Sequence, residues 1–481
     1  MQTANLIGQE WRAAESGLTV PVTDPATDEV IAEVPKGGAA DARLAIEAAR
    51  LALDDWRARP AAERSSLLRR LFDLMLARQE ELALLMTREQ GKPLAEARGE
   101  ILYAASFIEW AAEEAKRVYG DTIPASRRDK RILVLRQPVG VTAAITPWNF
   151  PSAMITRKLG PALAAGCTMV VKPATQTPLS AIAIGELALE AGIPPGVVNI
   201  VTGDARAIGD ELLSNPTVRK LSFTGSTEVG KVLMTKAAQN VTRLSLELGG
   251  HAPFLVFDDA NLDAAVAGAL ATKFRNTGQT CICANRFFVQ DGIYDAFVAR
   301  LGEAARKIRV GRGTEDGVQI GPLIDDAALE KVTAHVDDAR AKGAKVVTGG
   351  AAADAGPGLS RRFYQPTVIE GFTDAMLISH EETFGPVAPV RRFRDEAEAI
   401  ELANRSIYGL AAYFYTQDAS RLMRVAEALE YGVIGANDGL PSTAQAPFGG
   451  MKQSGIGREG GKYVMDEYLE VKYISWGLTT S

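Results

Sequence analysis

The stretch VTAAITPWNFPSAMITRKLGPALAAGCTMVVK, residues 141–172, decides which fold the sequence predicts. Residues 141–145 have the short apolar pattern of a buried strand, and residues 168–171 repeat that pattern. Between them, residues 151–165 have the pattern of a helix, with Pro151 near the first turn, where proline is tolerated. A strand, a helix and a second strand in this order form one unit of a parallel sheet.

The same alternation continues toward the carboxyl terminus. Three more helices and three more strands are predicted, the helices at 178–191, 205–213 and 228–238 and the strands at 197–201, 220–223 and 242–248. The predicted fold class is therefore α/β, with a doubly wound, Rossmann-like parallel sheet. Ligands of such sheets bind beyond the carboxyl ends of the strands, so the residues directly after each strand are the functional candidates.

The flanking regions extend this architecture. Residues 41–117 are predicted to be helical, because apolar residues such as Leu67, Leu71 and Met75 recur at helical spacing. A second α/β run extends from residue 251 to about residue 434. Segments 130–136 and 468–474 alternate apolar and polar residues and fit neither run. Unpaired alternating strands invite pairing with another subunit, so we expect a homo-oligomer, either a dimer or a tetramer.

Composition and charge exclude several classes of protein. The 481 residues favour two or three domains, and the net charge of -6 provides no basic surface for nucleic acid or a membrane. Three cysteines are too few for a disulfide framework, and the N-terminus has no signal-peptide pattern, so we expect a cytoplasmic protein. The three histidines lack the spacing of zinc ligands, and we expect no metal.

Cys281 is the first candidate catalytic residue. It lies in a polar, glycine-containing segment, FRNTGQTCICANR at 274–286, that follows a predicted helix. A free cysteine more often packs as a small apolar residue, whereas a nucleophilic thiol needs access and a stabilised thiolate. The polar neighbours of Cys281 favour the nucleophile, and the packing role remains an alternative.

Glu247 and Asn149 are the other two candidate catalytic residues. Glu247 lies within an apolar strand, where a charge is costly unless it has a task or a partner. It is either half of a buried ion pair or a general base whose pKa is raised by desolvation. Asn149 follows the strand at 141–145 and is either a turn asparagine or a side-chain donor to an oxyanion.

Seven motifs together resemble the aldehyde dehydrogenase superfamily over nearly the whole chain. They occur in the order PWNFP (147–151), VKPA (171–174), FTGSTEVG (223–230), LELGG (246–250), GQTC (278–281), EETFGPV (381–387) and PFGGMKQSG (447–455). Within that superfamily the chain is most similar to bacterial NAD(P)-dependent succinate-semialdehyde dehydrogenases, through segments such as 104–110, 154–158 and 273–275.

The resemblance implies a covalent mechanism for aldehyde oxidation. Cys281 would attack the aldehyde carbon, and Asn149 with the backbone N–H of Cys281 would hold the oxyanion. Hydride transfer to the nicotinamide would leave a thioester, which water activated by Glu247 would hydrolyse. Lys172 and Glu459 resemble a pair near the cofactor in this family, with Glu459 a possible proton relay.

The resemblance also assigns the cofactor residues, all of them near strand ends. They are Ile145, Trp148, Lys172, Thr175, Gly225, Ser226, Glu382 and Phe384, of which Gly225 and Ser226 open a helix whose N–H groups can receive the pyrophosphate. NAD-preferring relatives often have glutamate at the position of Thr175. Because threonine does not repel a 2′-phosphate as a carboxylate would, we predict that NADP is preferred, with use of both NADP and NAD as the alternative.

Two arginines suggest that the substrate carries an anionic group. Arg157 is on the helix that follows Asn149, and Arg275 precedes Cys281. Arginines near a site in apolar surroundings suggest an anion clamp, and the resemblance adds Ser442 to it. Succinate semialdehyde is the expected substrate, but the unusual segment 439–445 leaves chain length and anion type open, with glutarate semialdehyde and sulfolactaldehyde as alternatives.

Cys283, two residues after Cys281, suggests a redox switch. A reversible Cys281–Cys283 disulfide would stop catalysis under oxidising conditions, whereas a spectator thiol would leave Cys281 to be oxidised alone. Peroxide treatment followed by mapping of the thiols by mass spectrometry separates the two. Loss of activity without a Cys281–Cys283 link would contradict the switch.

The resemblance divides the chain into three parts. We expect a cofactor-binding domain at 1–121 and 142–250, a catalytic domain at 251–434, and an oligomerisation arm with a substrate-mouth loop at 122–141 and 435–481.

A non-catalytic, crystallin-like protein that only binds the cofactor is the alternative of another class, but the chain keeps Cys281, Glu247 and Asn149. The segment 225–231 nearly spells a P-loop, yet Val232 stands where a magnesium-binding Ser or Thr is required.

Overall fold

The computed structural model describes residues 2–479 and begins with short strands and four helices. The strands are β1 (Asn5–Ile7), β2 (Glu10–Arg12), β3 (Thr19–Thr23) and β4 (Val30–Pro35). The segment predicted as helical forms α1 (Ala39–Ala58), α2 (Ala61–Ala77), α3 (Gln79–Gln90) and α4 (Leu94–Ala115). Gly91 ends α3 with a φ of 91°, a conformation that glycine adopts without steric cost. Two strands follow, β5 (Asp121–Ile123) and β6 (Lys130–Pro138).

A parallel α/β unit comes next and confirms the predicted fold class. Its elements are β7 (Val141–Ile145), α5 (Ala153–Ala165), β8 (Thr168–Lys172), α6 (Leu179–Glu190), β9 (Val198–Ile200), α7 (Ala205–Ser214), β10 (Val218–Thr224), α8 (Thr227–Ala237) and β11 (Arg243–Glu247). The five strands lie in the spatial order β9-β8-β7-β10-β11 and are all parallel. Strand order reverses between β7 and β10, which is where such sheets bind ligands.

A second α/β unit follows. It comprises β12 (Ala252–Val256), α9 (Leu262–Phe274), β13 (Ala284–Gln290), α10 (Tyr294–Arg306), α11 (Asp326–Ala341), β14 (Lys345–Thr348), β15 (Thr367–Glu370), β16 (Val387–Phe393), α12 (Glu396–Asn404), β17 (Tyr408–Gly409), β18 (Ala411–Tyr415), α13 (Ala419–Ala428) and β19 (Val433–Ala436). Its seven-stranded sheet has the order β14-β15-β16-β13-β12-β18-β19, and only β14 runs antiparallel to its neighbour.

The last strands return to the first unit. They are β20 (Met451–Lys452), β21 (Gly455–Ile456) and β22 (Leu469–Gly477). Strand β21 pairs antiparallel with β11 and brings the segment around Glu459 back to the first sheet, which β1 and β2 extend at its other edge. Strand β22 pairs with β6 along nine residues, and β5 completes a separate three-stranded sheet.

The prediction of a homo-oligomer from the sequence started from a wrong premise about two strands. Segments 130–136 and 468–474, expected to be unpaired strands, lie in β6 and β22, which pair with each other. The open edge of β22 remains, with Val471, Tyr473 and Trp476 more than half exposed. The strands β1 to β4 were not predicted, because β1 and β2 have only three residues each and β3 and β4 contain Pro21 and Pro35, which weaken a strand pattern. Within residues 2–479 no helix is long and apolar enough to span a membrane.

Candidate active site

A cleft of about 360 Å³ opens where β7, β10 and β11 end. Because parallel strands end at one edge of a sheet, the turns after these strands converge there with the segment after α9 and the turn before β16. The residues that line it are Pro147, Trp148, Asn149, Thr224, Gly225, Ser226, Leu248, Gly249, Cys281, Ala327, Ala328, Lys331, Glu382, Thr383 and Phe384. Five predicted cofactor residues and two predicted catalytic residues are in this set.

Cys281 is partly exposed at the floor of the cleft. Its thiol is not stabilised as a thiolate: burial raises its pKa to about 12, although the positive charge of Arg157 acts in the opposite direction. The turn before it is unusual, since Asn276 and Thr277 have φ angles of 51° and 58°, a region that side chains with a Cβ rarely adopt. A turn of this kind places the nucleophile at a fixed point and needs support from its surroundings.

Asn149 is buried beside this turn. One of its two side-chain N–H groups donates to the backbone carbonyl of Gln279 at 3.1 Å, which leaves the other for a ligand. Its Oδ1 has no hydrogen-bond partner among the described residues. The backbone carbonyl of Asn149 accepts from Lys92 Nζ at 2.8 Å and from Asn276 Nδ2 at 2.9 Å. The side chain is therefore anchored to Gln279, while its main chain is held by Lys92 and Asn276.

Glu247 ends β11 and is buried, with its Oε2 lacking a partner among the described residues. Burial raises its pKa well above the usual value, and the nearby charge of Glu459 raises it further. Glu459 behaves in the opposite way: burial favours its neutral form, but the charges of Lys158 and Arg157 lower its pKa below the usual value. Two interacting carboxyl groups with separated pKa values are typical of an acid–base site.

The expected pairing of Lys172 with Glu459 is wrong. Lys158 Nζ donates to Glu459 Oε1 at 2.6 Å, and Arg157 Nε lies 2.8 Å from Glu459 Oε2. Lys172 instead donates to Thr175 Oγ1 at 3.4 Å, beyond the end of β8. Lys172 was chosen as the partner of Glu459 because it directly ends a strand. Lys158 lies one turn inside α5, and the direction of its side chain cannot be predicted from strand ends.

The residues that follow β8 and β10 fit a dinucleotide. Burial lowers the pKa of Lys172 to about 8, because removing its charged amine from water costs free energy. An anionic or polyhydroxyl ligand beside Lys172 would offset that cost. Ser226 caps α8, its Oγ accepting from Val229 N at 3.3 Å, and a Cβ at Gly225 would collide with the Phe223 ring. The helix N-terminus is therefore open to close approach by a phosphate.

The other half of the cleft suits a nicotinamide ring. Trp148 and Phe384 pack edge to face with their ring centres 5.6 Å apart, and Phe384 has a φ of 54°. Glu382 accepts from the backbone N–H of Gly250 at 3.3 Å, and burial raises its pKa to about 7. Ile145 ends β7 and is partly buried, but it does not line the cleft.

The two candidate substrate arginines differ in their surroundings. Arg157 is buried, lies over the Phe448 ring at 3.9 Å, and has an Nη2 without a hydrogen-bond partner among the described residues. Arg275 is half-buried near the Phe150 ring and makes no ion pair within residues 2–479. Both guanidinium groups lie within electrostatic range of Cys281. Ser442 is half-buried in the loop before β20, and it shows no side-chain hydrogen bond within the described range.

Cys283 faces away from the cleft. It is buried, its Sγ donates to the carbonyl of Lys273 at 3.4 Å, and it is a free thiol, as is Cys281. Burial raises the pKa of Cys283 as well. A disulfide between the two would require the 281–283 segment to turn, so the redox switch stays a prediction.

The sequence did not single out the residues that support the catalytic turn. Lys92, Glu96 and Glu100 lie behind Asn149 and Asn276, and Glu96 Oε2 accepts from Asn276 N at 2.7 Å. These three charged residues are spaced four apart in the sequence, as on one face of a helix. The same spacing is equally typical of an exposed helix face, so it does not indicate a buried network.

A partly exposed cysteine at the edge of a dinucleotide-type sheet, with an amide donor and a buried carboxyl group beside it, is the arrangement of a covalent dehydrogenase. The comparisons agree: residues 11–474 match the aldehyde dehydrogenase family. The chain is 60% identical over 473 residues to a succinate-semialdehyde dehydrogenase (NADP+) of Escherichia coli, covering 98% of this chain and 97% of that protein. It is 61% identical over 467 residues to a glutarate-semialdehyde dehydrogenase of Pseudomonas aeruginosa, covering 97% and 96%.

A solved structure adds to this match. The crystal structure of a succinate-semialdehyde dehydrogenase from Burkholderia pseudomallei has a TM-score of 0.97 to this chain at 57% identity, covering 99% of this chain and 98% of that one. The chain belongs to the aldehyde dehydrogenase family, and it is an NAD(P)-dependent oxidoreductase.

The raised pKa of Cys281 predicts how the free enzyme reacts with iodoacetamide. Only the thiolate is alkylated, so with a pKa of about 12 the rate should rise about tenfold per pH unit from about pH 7 to about pH 9, without a plateau. Mass spectrometry of the labelled peptide measures the rate, and Cys281→Ser shows that the label is on Cys281. A plateau below about pH 8 would mean that the free enzyme already stabilises the thiolate.

Proposed function

We propose that this protein oxidises succinate semialdehyde to succinate, with NADP as the preferred cofactor. The observation that supports this most is the position of Cys281 beside Asn149, with two arginines in electrostatic range of the thiol. A substrate with an aldehyde at one end and a carboxylate at the other satisfies both features. The similar enzymes of Escherichia coli and Burkholderia pseudomallei are named for this substrate.

The proposed reaction begins at Cys281. The Cys281 thiol gives its proton to the ionised carboxylate of Glu247, and the sulfur then attacks the aldehyde carbon. The free N–H of Asn149, together with the backbone N–H of Cys281, donates to the oxygen that becomes negative. NADP, when bound, supplies the ring that accepts the hydride. The acyl group then remains on Cys281 as a thioester until water attacks it.

Glu247 is the proposed base for that water. Its raised pKa makes the ionised carboxylate a stronger base than an exposed glutamate, so it takes a proton from water more readily. Glu459, ionised at rest between Lys158 and Arg157, is proposed to take up that proton transiently and pass it onward, returning to its ionised form. Lys158 and Arg157 carry two positive charges, and the Glu459 carboxylate offsets only one of them. The remaining positive charge favours a further anion nearby, either the ionised form of Glu247 or an anionic substrate.

Arg275 is the stronger candidate for binding the substrate carboxylate, because it has no anionic partner within residues 2–479, whereas Arg157 is paired with Glu459. The orphan Nη2 of Arg157 and the hydroxyl of Ser442 are the proposed additional donors. Glutarate semialdehyde is the second candidate, because a relative of equal identity is named for it. A sulfonate such as that of sulfolactaldehyde would satisfy the same guanidinium groups.

We predict that Arg275→Gln separates anionic from neutral substrates. Loss of a charge-assisted hydrogen bond of about 1.5–3 kcal/mol should lower kcat/KM for succinate semialdehyde about 10- to 100-fold. The value for propanal should change less than about threefold, since propanal has no carboxylate to bind. Initial rates of NADPH formation measure both, with Arg300→Gln, on the exposed side of α10, as the matched control.

Two results would contradict this assignment. Equal losses for both aldehydes would make Arg275 a structural residue. A wild-type preference for propanal or benzaldehyde would remove the anionic substrate altogether and leave only the aldehyde dehydrogenase activity. A wild-type preference for glutarate semialdehyde or sulfolactaldehyde would retain the clamp and change the substrate.

The preference for NADP rests on Thr175. Thr175 is exposed beyond the end of β8, next to Lys172, so a 2′-phosphate there would meet a cation and no carboxylate. Thr175→Glu should lower kcat/KM for NADP at least about tenfold and leave that for NAD within about threefold. Thr175→Gln, of the same size without the charge, should retain the NADP preference. Equal effects of both substitutions would show that size and not charge decides.

We also propose the assembly, the compartment and the domain boundaries. The open edge of β22, with its exposed apolar residues, supports a homo-oligomer. Three free thiols support a reducing compartment, the cytoplasm. The two large sheets and the pairing of β6 with β22 support a cofactor domain at 1–121 and 142–250, a catalytic domain at 251–434, and an arm at 122–141 and 435–481. Within the last range, β21 pairs with the cofactor-domain sheet.

A further inference from the structure

Behind the cleft lies a buried ion pair that the proposed reaction does not use. Lys92 precedes α4, Glu100 lies on α4, and the two side chains form a salt bridge in which each is 1% exposed. Neither residue lines the cleft, so neither can touch substrate or cofactor in this conformation. Burying two charges costs desolvation energy, and hydrophobic replacements of such pairs are often no less stable. The pair therefore calls for an explanation other than stability.

Lys92 holds the main chain of Asn149. Its Nζ donates to the Asn149 carbonyl at 2.8 Å and lies 4.1 Å from the centre of the Phe150 ring. Asn276 Nδ2 donates to the same carbonyl at 2.9 Å. A carbonyl oxygen has two lone pairs, and here both are used. The peptide that follows Asn149 is thus fixed from two sides, one donor coming from the start of α4 and one from the catalytic turn.

Glu100 holds the beginning of the next helix. Its Oε1 accepts from the backbone N–H of Ser152 at 3.0 Å and from that of Ala153 at 3.2 Å. These N–H groups open α5 and have no partner within the helix. Because Glu100 also pairs with Lys92, a single network joins the carbonyl of Asn149 to the helix that starts just after it.

We propose that Lys92 and Glu100 are positioning residues that hold Asn149 in the orientation in which its side chain donates to the oxyanion. This rests on the proposed roles of Cys281 and Asn149. An amide donor contributes to catalysis only where the oxyanion forms, and a shift of a fraction of an ångström weakens it. The free N–H of Asn149 belongs to an amide group whose other N–H is tied to Gln279. Its direction therefore depends on where the Asn149 main chain, held by Lys92, lies relative to that anchor.

The test is the double variant Lys92→Met/Glu100→Gln. It removes both charges with little change in volume, and the substituted glutamine side chain keeps an oxygen that accepts from the α5 N–H groups. A single Lys92→Met would leave a buried, unpaired carboxylate and could fail to fold, so the double variant is the informative one. We expect kcat to fall at least about tenfold, while KM for the aldehyde and Kd for NADPH stay within about twofold.

A double-mutant cycle with Asn149→Ala separates positioning from general structural support. If the pair acts through Asn149, adding Lys92→Met/Glu100→Gln to Asn149→Ala should lower kcat by less than about twofold further. The matched control is Arg421→Met/Asp259→Asn, which removes a partly buried pair in the second α/β unit, away from Lys92 and Glu100. Its effect on kcat should be small and the same in both backgrounds.

Two results would overturn the inference. One is an unchanged kcat in the folded double variant, and the other is the same fold-loss with and without Asn149. The cycle uses whichever aldehyde the wild type oxidises fastest. A wrong substrate assignment therefore shows in the wild-type ranking of substrates, whereas a wrong assignment of the pair shows only in the variants.

Discussion

The active site depends on one constraint: β7, β10 and β11 are parallel and end at the same edge of one sheet. Their turns bring Asn149, the start of α8 and Glu247 together without any of these residues being near another in sequence. The second α/β unit then presents Cys281 at that edge, together with Glu382 and Phe384. A family built on this sheet can vary its substrate loop without disturbing the cofactor site, because the two are on different elements.

Charge burial is the second consequence of this arrangement. The region behind the cleft contains carboxylates and cations with almost no solvent, including the Lys92–Glu100 pair and Glu459 with Lys158 and Arg157. Several polar atoms there nevertheless lack a hydrogen-bond partner among the described residues, namely Glu247 Oε2, Glu459 Oε2, Arg157 Nε and Nη2, Asn149 Oδ1 and Asn276 Oδ1. Most of these atoms belong to residues to which catalysis and substrate binding are assigned, as expected where function is retained at the expense of stability.

The sequence predicted the fold class and brought most of the site residues to the correct edge, because both follow from short patterns and from strand ends. It failed where side-chain direction within a helix decides. Lys158 and not Lys172 pairs with Glu459, since α5 turns Lys158 toward the segment that follows β21. It failed again for β6 and β22, which pair with each other across more than three hundred residues, a contact that no local pattern can show. The sequence did not single out Lys92 and Glu100, because charged residues at helical spacing are equally typical of an exposed helix face.

The raised pKa of Cys281 fits this picture of a site that is incomplete by itself. Burial holds the thiol neutral in the free enzyme, and the positive charges of Arg157 and Arg275 act to stabilise a thiolate. Arg157 is already shared with Glu459, so most of that stabilisation is used before any ligand binds. A thiol that is neutral at rest is protected from oxidation, and it becomes a nucleophile only when a base takes its proton. On this view the same burial that weakens Cys281 as a resting nucleophile strengthens Glu247 as a base, so one dry pocket serves both steps.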